Sequence, residues 1–424
     1  MVVEVSLLKG WLPVALEIVA VVVLLFAIGW RDARWRTRRL PIVVVGTALS
    51  GVLVVKVIAP AVGMTDPLPV RVWIWLSGAF GALVLLGVGW SSAHWGRRLA
   101  AVLAFVLAAV VGVNGINQFV GYYPTVGAAV AGLQGQQPPG QVSLAQIKDN
   151  KDPAGARSGE LVGVTIPAVP SGFAHRQELV YLPPVWFHGP RHPVLPVVEM
   201  IGAERSKPEN WVRIGSAVKT AQAYAAHHHG LGPILVFVDA TAAFSNDTEC
   251  VNGPHGQAED HLYRDIPAYI TSTFGASKNP KAWAVAGFSM GGTCAIGLTT
   301  EHSTAFGHFV DISGDLFPNT GDKAQTIANL FGGSAAAYAA HDPLTVIAKH
   351  GRFPALTGRY LDGTEEKLHA REATLLITAG KKQGIASKLT VLPGTHNWQF
   401  AESAFSYIFP WLCAQLGLER TTTS

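Results

Sequence analysis

The sequence predicts an α-helical membrane region of four transmembrane helices, followed by an α/β domain whose mostly parallel sheet is covered by helices on both faces. Four apolar segments of about 20 residues, each long enough to span a bilayer core, follow one another before residue 120. Beyond residue 159, short apolar runs rich in β-branched and aromatic residues alternate with helix-like stretches. One of these runs ends in Gly287-Phe288-Ser289-Met290-Gly291, a glycine-flanked serine between a strand pattern and a helix pattern. A chain of 424 residues accommodates both parts, and 49% hydrophobic against 14% charged residues is too apolar for a soluble domain alone.

The apolar segments run Trp11–Trp30, Leu40–Ala59, Val72–Trp90 and Leu99–Val120, with Trp11, Trp30, Trp73, Trp75, Trp90 and Trp95 near their ends, as interfacial aromatics are. Arg31, Arg34, Arg36, Arg38 and Arg39 lie between the first two segments, and Arg97 and Arg98 between the last two. The loop Pro60–Arg71 holds a single arginine. The positive-inside rule puts both arginine loops in the cytoplasm, and an even number of spans then puts both termini outside it, at a plasma membrane. The first segment leads into arginines and a second apolar run, so it does not read as a cleavable signal. Glu17 and Lys56 fall inside spans at similar depth. Either they pair, or Lys56 snorkels while Glu17 is protonated or wet.

These signals divide the chain into a membrane region 1–120, a membrane-proximal linker 121–158 and a domain 159–424. The linker contains Gln134-Gly135-Gln136-Gln137-Pro138-Pro139-Gly140, low in apolar residues, and residues 121–133 suit an outer membrane surface. In the domain, strands are expected at Glu160–Ile166, Glu178–Leu182, Val194–Met200, Ile234–Asp239, Ala282–Phe288, His308–Ile312, Ala355–Leu361 and Lys388–Leu392. Helices are expected at Trp211–His228, Asp260–Phe274, Thr293–His302, Gln325–Phe331, Leu344–His350 and Ala401–Leu416. Alternation from the third strand onward argues for parallel pairing, with antiparallel edge strands first.

The turn at Ser289 is what an acyl-transfer nucleophile needs. A side chain on so sharp a bend sits in strained backbone, and its neighbours must approach without Cβ atoms. The following helix points N–H groups and partial positive charge at a developing oxyanion. Such a serine requires a base and an orienting acid, in the chain order serine, acid, histidine. Among 15 histidines, His396 follows the last expected strand and precedes the last helix, the right place for the base. Asp362, Glu365 and Glu366, at the end of Ala355–Leu361, are the candidate acids.

The domain resembles the esterase D and mycolyltransferase group of α/β-hydrolases (the putative esterase family). The likeness rests on Val180-Tyr181-Leu182-Pro183-Pro184, His192-Pro193-Val194-Leu195, Ala286-Gly287-Phe288-Ser289-Met290-Gly291-Gly292, Gly363-Thr364-Glu365-Glu366 and Gly394-Thr395-His396-Asn397-Trp398. The four apolar spans also resemble anchors on some actinobacterial members. The resemblance implies an α/β-hydrolase fold and favours Glu366, three residues after Gly363, as the acid. It implies oxyanion donors at the backbone of Met290 and of Ile201. The family usually has His-Gly-Leu or Asp-Gly-Leu at the second position. This chain has Glu199-Met200-Ile201-Gly202, so the glycine has moved.

Other features carry less. His227-His228-His229 ends a helix pattern before Gly230 and fits a helix C-terminus better than a metal site. The three cysteines match no metal motif, and no cofactor or metal is expected. Outside the cytoplasm, Cys250 and Cys294 could join the loop 245–261 to the nucleophile helix; two buried thiols are the alternative. Cys413 belongs to the core. Asp315–His350 forms either a wall for an acyl chain or ordinary helix packing. A net charge of +4 without a basic, aromatic-interleaved patch excludes nucleic acid as a partner. The chain therefore reads as a membrane-anchored serine esterase acting on lipid or lipid-linked esters. The alternatives are an acyltransferase using the same residues and a catalytically silent domain that binds lipid or a protein partner.

Overall fold

The computed structural model describes residues 5–58, 68–148, 155–188 and 191–418. They form two compact units, residues 1–136 and 137–424. In the first unit the helices are α1 (Trp11–Ile28), α2 (Leu40–Leu53), α3 (Val70–Gly89) and α4 (Trp95–Val120). With its flanking π turns, Trp35–Arg39 and Val54–Ile58, the second helix reaches membrane length. Among the described residues four helices are long and apolar enough to cross a bilayer, and the chain is a multi-pass membrane protein.

The bundle is packed as a membrane protein is. Ala20, Ala27, Ala79, Ala82, Ala101, Ala104 and Ala108 are buried, while Ile18, Leu25, Phe26, Leu49 and Leu99 are exposed. Small residues let helices approach, and large apolar ones face the lipid. Arg31 donates to Gly89 O and Ser92 Oγ across the bundle and stacks on Trp35, so the two arginine-bearing loops meet at one end of the bundle. At the other end Asn114 and Gln118 donate to Leu7 O and Leu8 O, and Ser6 bridges Thr125. Among the described residues no ion pair joins Glu17 and Lys56, and Lys56 is exposed, as a snorkelling lysine is. Most of the predicted outer loop lies outside the described residues.

The second unit is built on a nine-stranded sheet of order β1-β2-β3-β5-β4-β8-β9-β10-β11. Its strands are β1 (Gln141–Ser143), β2 (Glu160–Val164), β3 (Glu178–Leu182), β4 (Val197–Ile201), β5 (Ile234–Phe237), β8 (Trp283–Phe288), β9 (His308–Ile312), β10 (Thr357–Gly363) and β11 (Ala386–Leu392); β6 (Asn252–Gly253) and β7 (Gly256–Gln257) make a separate hairpin. β3 is antiparallel to both β2 and β5, and every pair from β5 to β11 is parallel. β3, β4, β5, β8 and β9 are buried along their whole length, as strands covered on both faces must be. The covering helices are α5 (Ala217–His227), α6 (Ile266–Phe274), α7 (Met290–Glu301), α8 (Lys323–Phe331), α9 (Ala335–His341), α10 (Pro343–His350), α11 (Lys367–Lys382) and α12 (Trp398–Gln415).

The fold differs from the sequence reading in places with identifiable causes. β4 begins at Val197 rather than Val194, because Pro193 and Pro196 cannot donate to a ladder. Within the stretch read as linker, Gln141–Ser143 pairs in parallel with β2. The longest difference is α11, 16 residues between β10 and β11 where the sequence pattern marks no helix. Parallel neighbours need a crossover, and α11 supplies it.

Candidate active site

Ser289 stands between β8 and α7 with φ +58° and ψ −123°, a conformation costly for any residue with a Cβ. The turn is held by Ser289 N–H donating to Ile312 O at 2.9 Å and Gly292 N–H donating to Ser289 O at 2.7 Å. Two glycines are compulsory here. A Cβ on Gly287 would lie 2.0 Å from Gly291 O, and one on Gly291 would lie 2.3 Å from Ile201 O. The bend therefore closes only with bare backbone on both sides of the serine.

His396, in the loop between β11 and α12, places Nε2 2.8 Å from Ser289 Oγ and Nδ1 2.7 Å from Glu366 Oε1. Asn397 caps α12 by accepting from Phe400 N–H at 2.8 Å, which fixes the end of this loop. Phe288 and the His369 imidazole lie within 5.1 Å of the His396 ring, centroid to centroid. Glu366 precedes α11 and is buried. Its second oxygen accepts from Gly363 N–H at 2.7 Å and Ser313 Oγ–H at 2.9 Å. Burial alone would push its carboxyl up. The hydrogen bond and charge of His396, with Gly363 and Ser313, outweigh that and hold it below the usual range.

The other two candidate acids sit differently. Glu365 is exposed, and among the described residues it makes no bond to His396. Asp362 is buried, and burial, then the charge of Glu366, push it to about 7. Exchanging Glu366 for glutamine is therefore expected to lower kcat/KM on an activated ester by about 10³–10⁴-fold, whereas Asp362→Asn costs less than about tenfold. Steady-state hydrolysis of an aryl ester by the two variants distinguishes them.

Met290 opens α7, so its N–H belongs to the first helical turn, which has no intrahelical acceptor. Ile201 closes β4 beside Gly287, and its carbonyl accepts from Trp211 Nε1–H at 2.9 Å. Cys250 and Cys294 are joined in a disulfide, tying the loop after β5 to α7. Cys413 is buried on α12. His228 stacks on Tyr224 and bonds its carbonyl at 2.7 Å, a helix-end arrangement. α8 and α9 pack Leu330, Phe331 and Tyr338 against Val251, next to the disulfide.

His369 is the residue the sequence reading missed. In the first turn of α11, it places Nδ1 3.5 Å from Glu366 Oε1 and Nε2 3.4 Å from Asp315 Oδ1. Burial lowers its pKa, but Asp315, Glu366 and Asp362 more than offset this and raise it to about 9. Such an imidazole binds its proton more tightly folded than unfolded. Its stabilisation is complete below about pH 6.5 and is lost as pH rises through about 9. Thermal melts in detergent are expected to show stability declining over that window by about 3 kcal/mol at most, and a flatter decline in His369→Gln.

The comparisons with known proteins agree with this architecture. Residues 175–412, more than half of the chain, match the family model described as putative esterase. The chain belongs to the putative esterase family. It is 29% identical over 370 residues to an uncharacterized protein of Corynebacterium glutamicum, covering 84% of each chain. It is similar in fold to a ferulic acid esterase, with a TM-score of 0.50 at 18% identity over 61% of this chain and 99% of that one. An S-formylglutathione hydrolase from Agrobacterium tumefaciens gives a TM-score of 0.50 at 18% identity over 62% and 97%. This putative-esterase family member thus has an α/β-hydrolase-like fold and, among its described residues, four apolar helices of membrane length.

Proposed function

We propose that this esterase-family member is an extracytoplasmic serine esterase that cleaves lipid or lipid-linked esters. The observation that carries the reading is the continuous hydrogen-bonded row Ser289 Oγ, His396 and Glu366 at the carboxyl ends of parallel strands. Ser289 Oγ attacks the ester carbonyl while His396 Nε2 takes its proton. Glu366 keeps Nδ1 protonated and supports the imidazolium. The tetrahedral oxyanion is received by the N–H of Met290 and by backbone at the end of β4, at or next to Ile201. His396 then protonates the leaving alcohol, and an acyl-serine remains. Water, deprotonated by the same imidazole, releases the acid and restores the serine.

The lipid-ester part of the reading rests on the membrane helices. With arginine-bearing ends held in the cytoplasm, the domain after residue 136 lies on the opposite side, facing the cell envelope. Esters at that surface include acyl glycerols, aminoacylated phospholipids and mycolyl-type glycolipids. A fluorophosphonate probe tests the chemistry: labelling of the wild type that vanishes in Ser289→Ala supports an enzyme, and no labelling of the wild type removes the reading. Lipid profiling of cells carrying Ser289→Ala then names the ester that accumulates.

A further inference from the structure

The second unit also buries a group of ionisable side chains that the proposed hydrolytic chemistry does not use. Glu178 opens β3, and His175 precedes it by three residues. His261 comes from the π turn His261–Asp265 that leads into α6. Glu178 and His261 are both completely buried. Potential ligand atoms of His175, Glu178 and His261 all lie within 4.8 Å of one another.

We propose that His175, Glu178 and His261 bind a divalent transition-metal ion, zinc by the chemistry of the set, with its fourth position left to a water. Two imidazoles and one carboxylate are a familiar ligand set for zinc. Glu178 Oε1 is 3.1 Å from His261 Nε2, and Glu178 Oε2 is 3.6 Å from His175 Nδ1. Ligands about 2.0–2.1 Å from a tetrahedral ion stand roughly 3.4 Å apart, so these separations bracket the expected value.

The surroundings supply what metal-bound imidazoles require. The far nitrogen of His261, Nδ1, lies 3.0 Å from Asp265 Oδ2, and Asp265 is itself held by Ser171 Oγ–H. The far nitrogen of His175, Nε2, lies 2.7 Å from Ile166 O. An N–H directed at a carboxylate or carbonyl leaves the opposite nitrogen's lone pair for an ion and fixes the ring. A π turn that brings a histidine inward is also a recurrent device at binding sites.

Charge and hydrogen bonding argue the same way. Glu178, Glu199, Asp239 and Asp265 are buried, and Asp239 is paired with Arg176. Among the described atoms, no donor within hydrogen-bonding distance reaches Glu178 Oε2, Asp265 Oδ1 or either oxygen of Glu199. Buried carboxylate oxygens without donors are costly, and a cation among them removes much of that cost. His175 Nδ1 also lies 2.9 Å from Arg176 O, so both nitrogens of this ring face oxygen, as do both nitrogens of His261. A neutral imidazole has one N–H only. The cluster therefore needs either additional protons or one cation.

Metal analysis of the untagged full-length protein, purified in detergent from zinc-supplemented cells, separates these cases. We expect about one equivalent of zinc per chain. Dipicolinate should lower the melting temperature, and added zinc should restore it. The double variant Glu178→Gln/His261→Gln should lose the metal. Less than about a tenth of an equivalent, with no rise in melting temperature on titration with zinc, manganese or ferrous iron, would overturn the proposal in favour of protonated histidines. Zinc retained by the double variant would overturn it too, by placing the metal elsewhere. If that variant does not fold, the wild-type metal content and chelator response still decide.

Discussion

Replacing Ser289 with alanine is expected to lower kcat on an activated aryl ester by about 10⁵–10⁶-fold while the protein stays folded. The serine contributes an oxygen but little packing. Its backbone is set by Ile312 O, Gly287 and Gly291, none of which the substitution touches. His396→Ala is expected to cost about as much, and the double variant hardly more than either, because residues acting as one unit are not additive. Initial rates of p-nitrophenyl butyrate hydrolysis, with melting curves as a control on folding, measure all three. Residual activity within tenfold of the wild type in folded Ser289→Ala would assign the hydrolysis to another group.

The second large effect is one of stability. Cys250 and Cys294 are 44 residues apart, and closing a loop of that length restricts the unfolded chain by about 4 kcal/mol in the chain-entropy account. The bond also restrains a segment that resists relaxation on its own terms. Glu249 and Cys250 both hold positive φ, at +47° and +58°, without being glycine. Cys250→Ala/Cys294→Ala is expected to lower the melting temperature by several degrees, and dithiothreitol should do the same to the wild type and nothing to the variant. A wild-type melt unmoved by complete reduction would remove the stabilising role. Because α7 begins immediately after Ser289, activity is expected to decay earlier on heating than the melt of the whole domain.

The candidate site is legible where chemistry and local geometry coincide in sequence. Glycines at 287 and 291 around Ser289 announced the bend, and the structure shows each of them pressed against backbone. His396 is marked in the sequence by its place after the last strand, and its Nε2 lies 2.8 Å from Ser289 Oγ. Three neighbouring carboxylates could not be separated by composition, since the choice depends on which carboxyl turns back beside Gly363. α11 hid because its apolar residues are sparse and its charged ones many; the pairing of β10 with β11 would have demanded it. His369 was beyond reach for the same reason, being recognisable only once that helix is seen to start at Lys367. The His175–Glu178–His261 group gave no local signal, because 83 residues separate its glutamate from His261.

The Ser6 bridge to Thr125 and the Asn114 and Gln118 amides on Leu7 and Leu8 hold the segment that enters α1 beside the segment that leaves α4. Both emerge at the end away from the arginines. Labelling of Lys9→Cys, an exposed position, by a membrane-impermeant thiol reagent therefore reads out the compartment reached after residue 125.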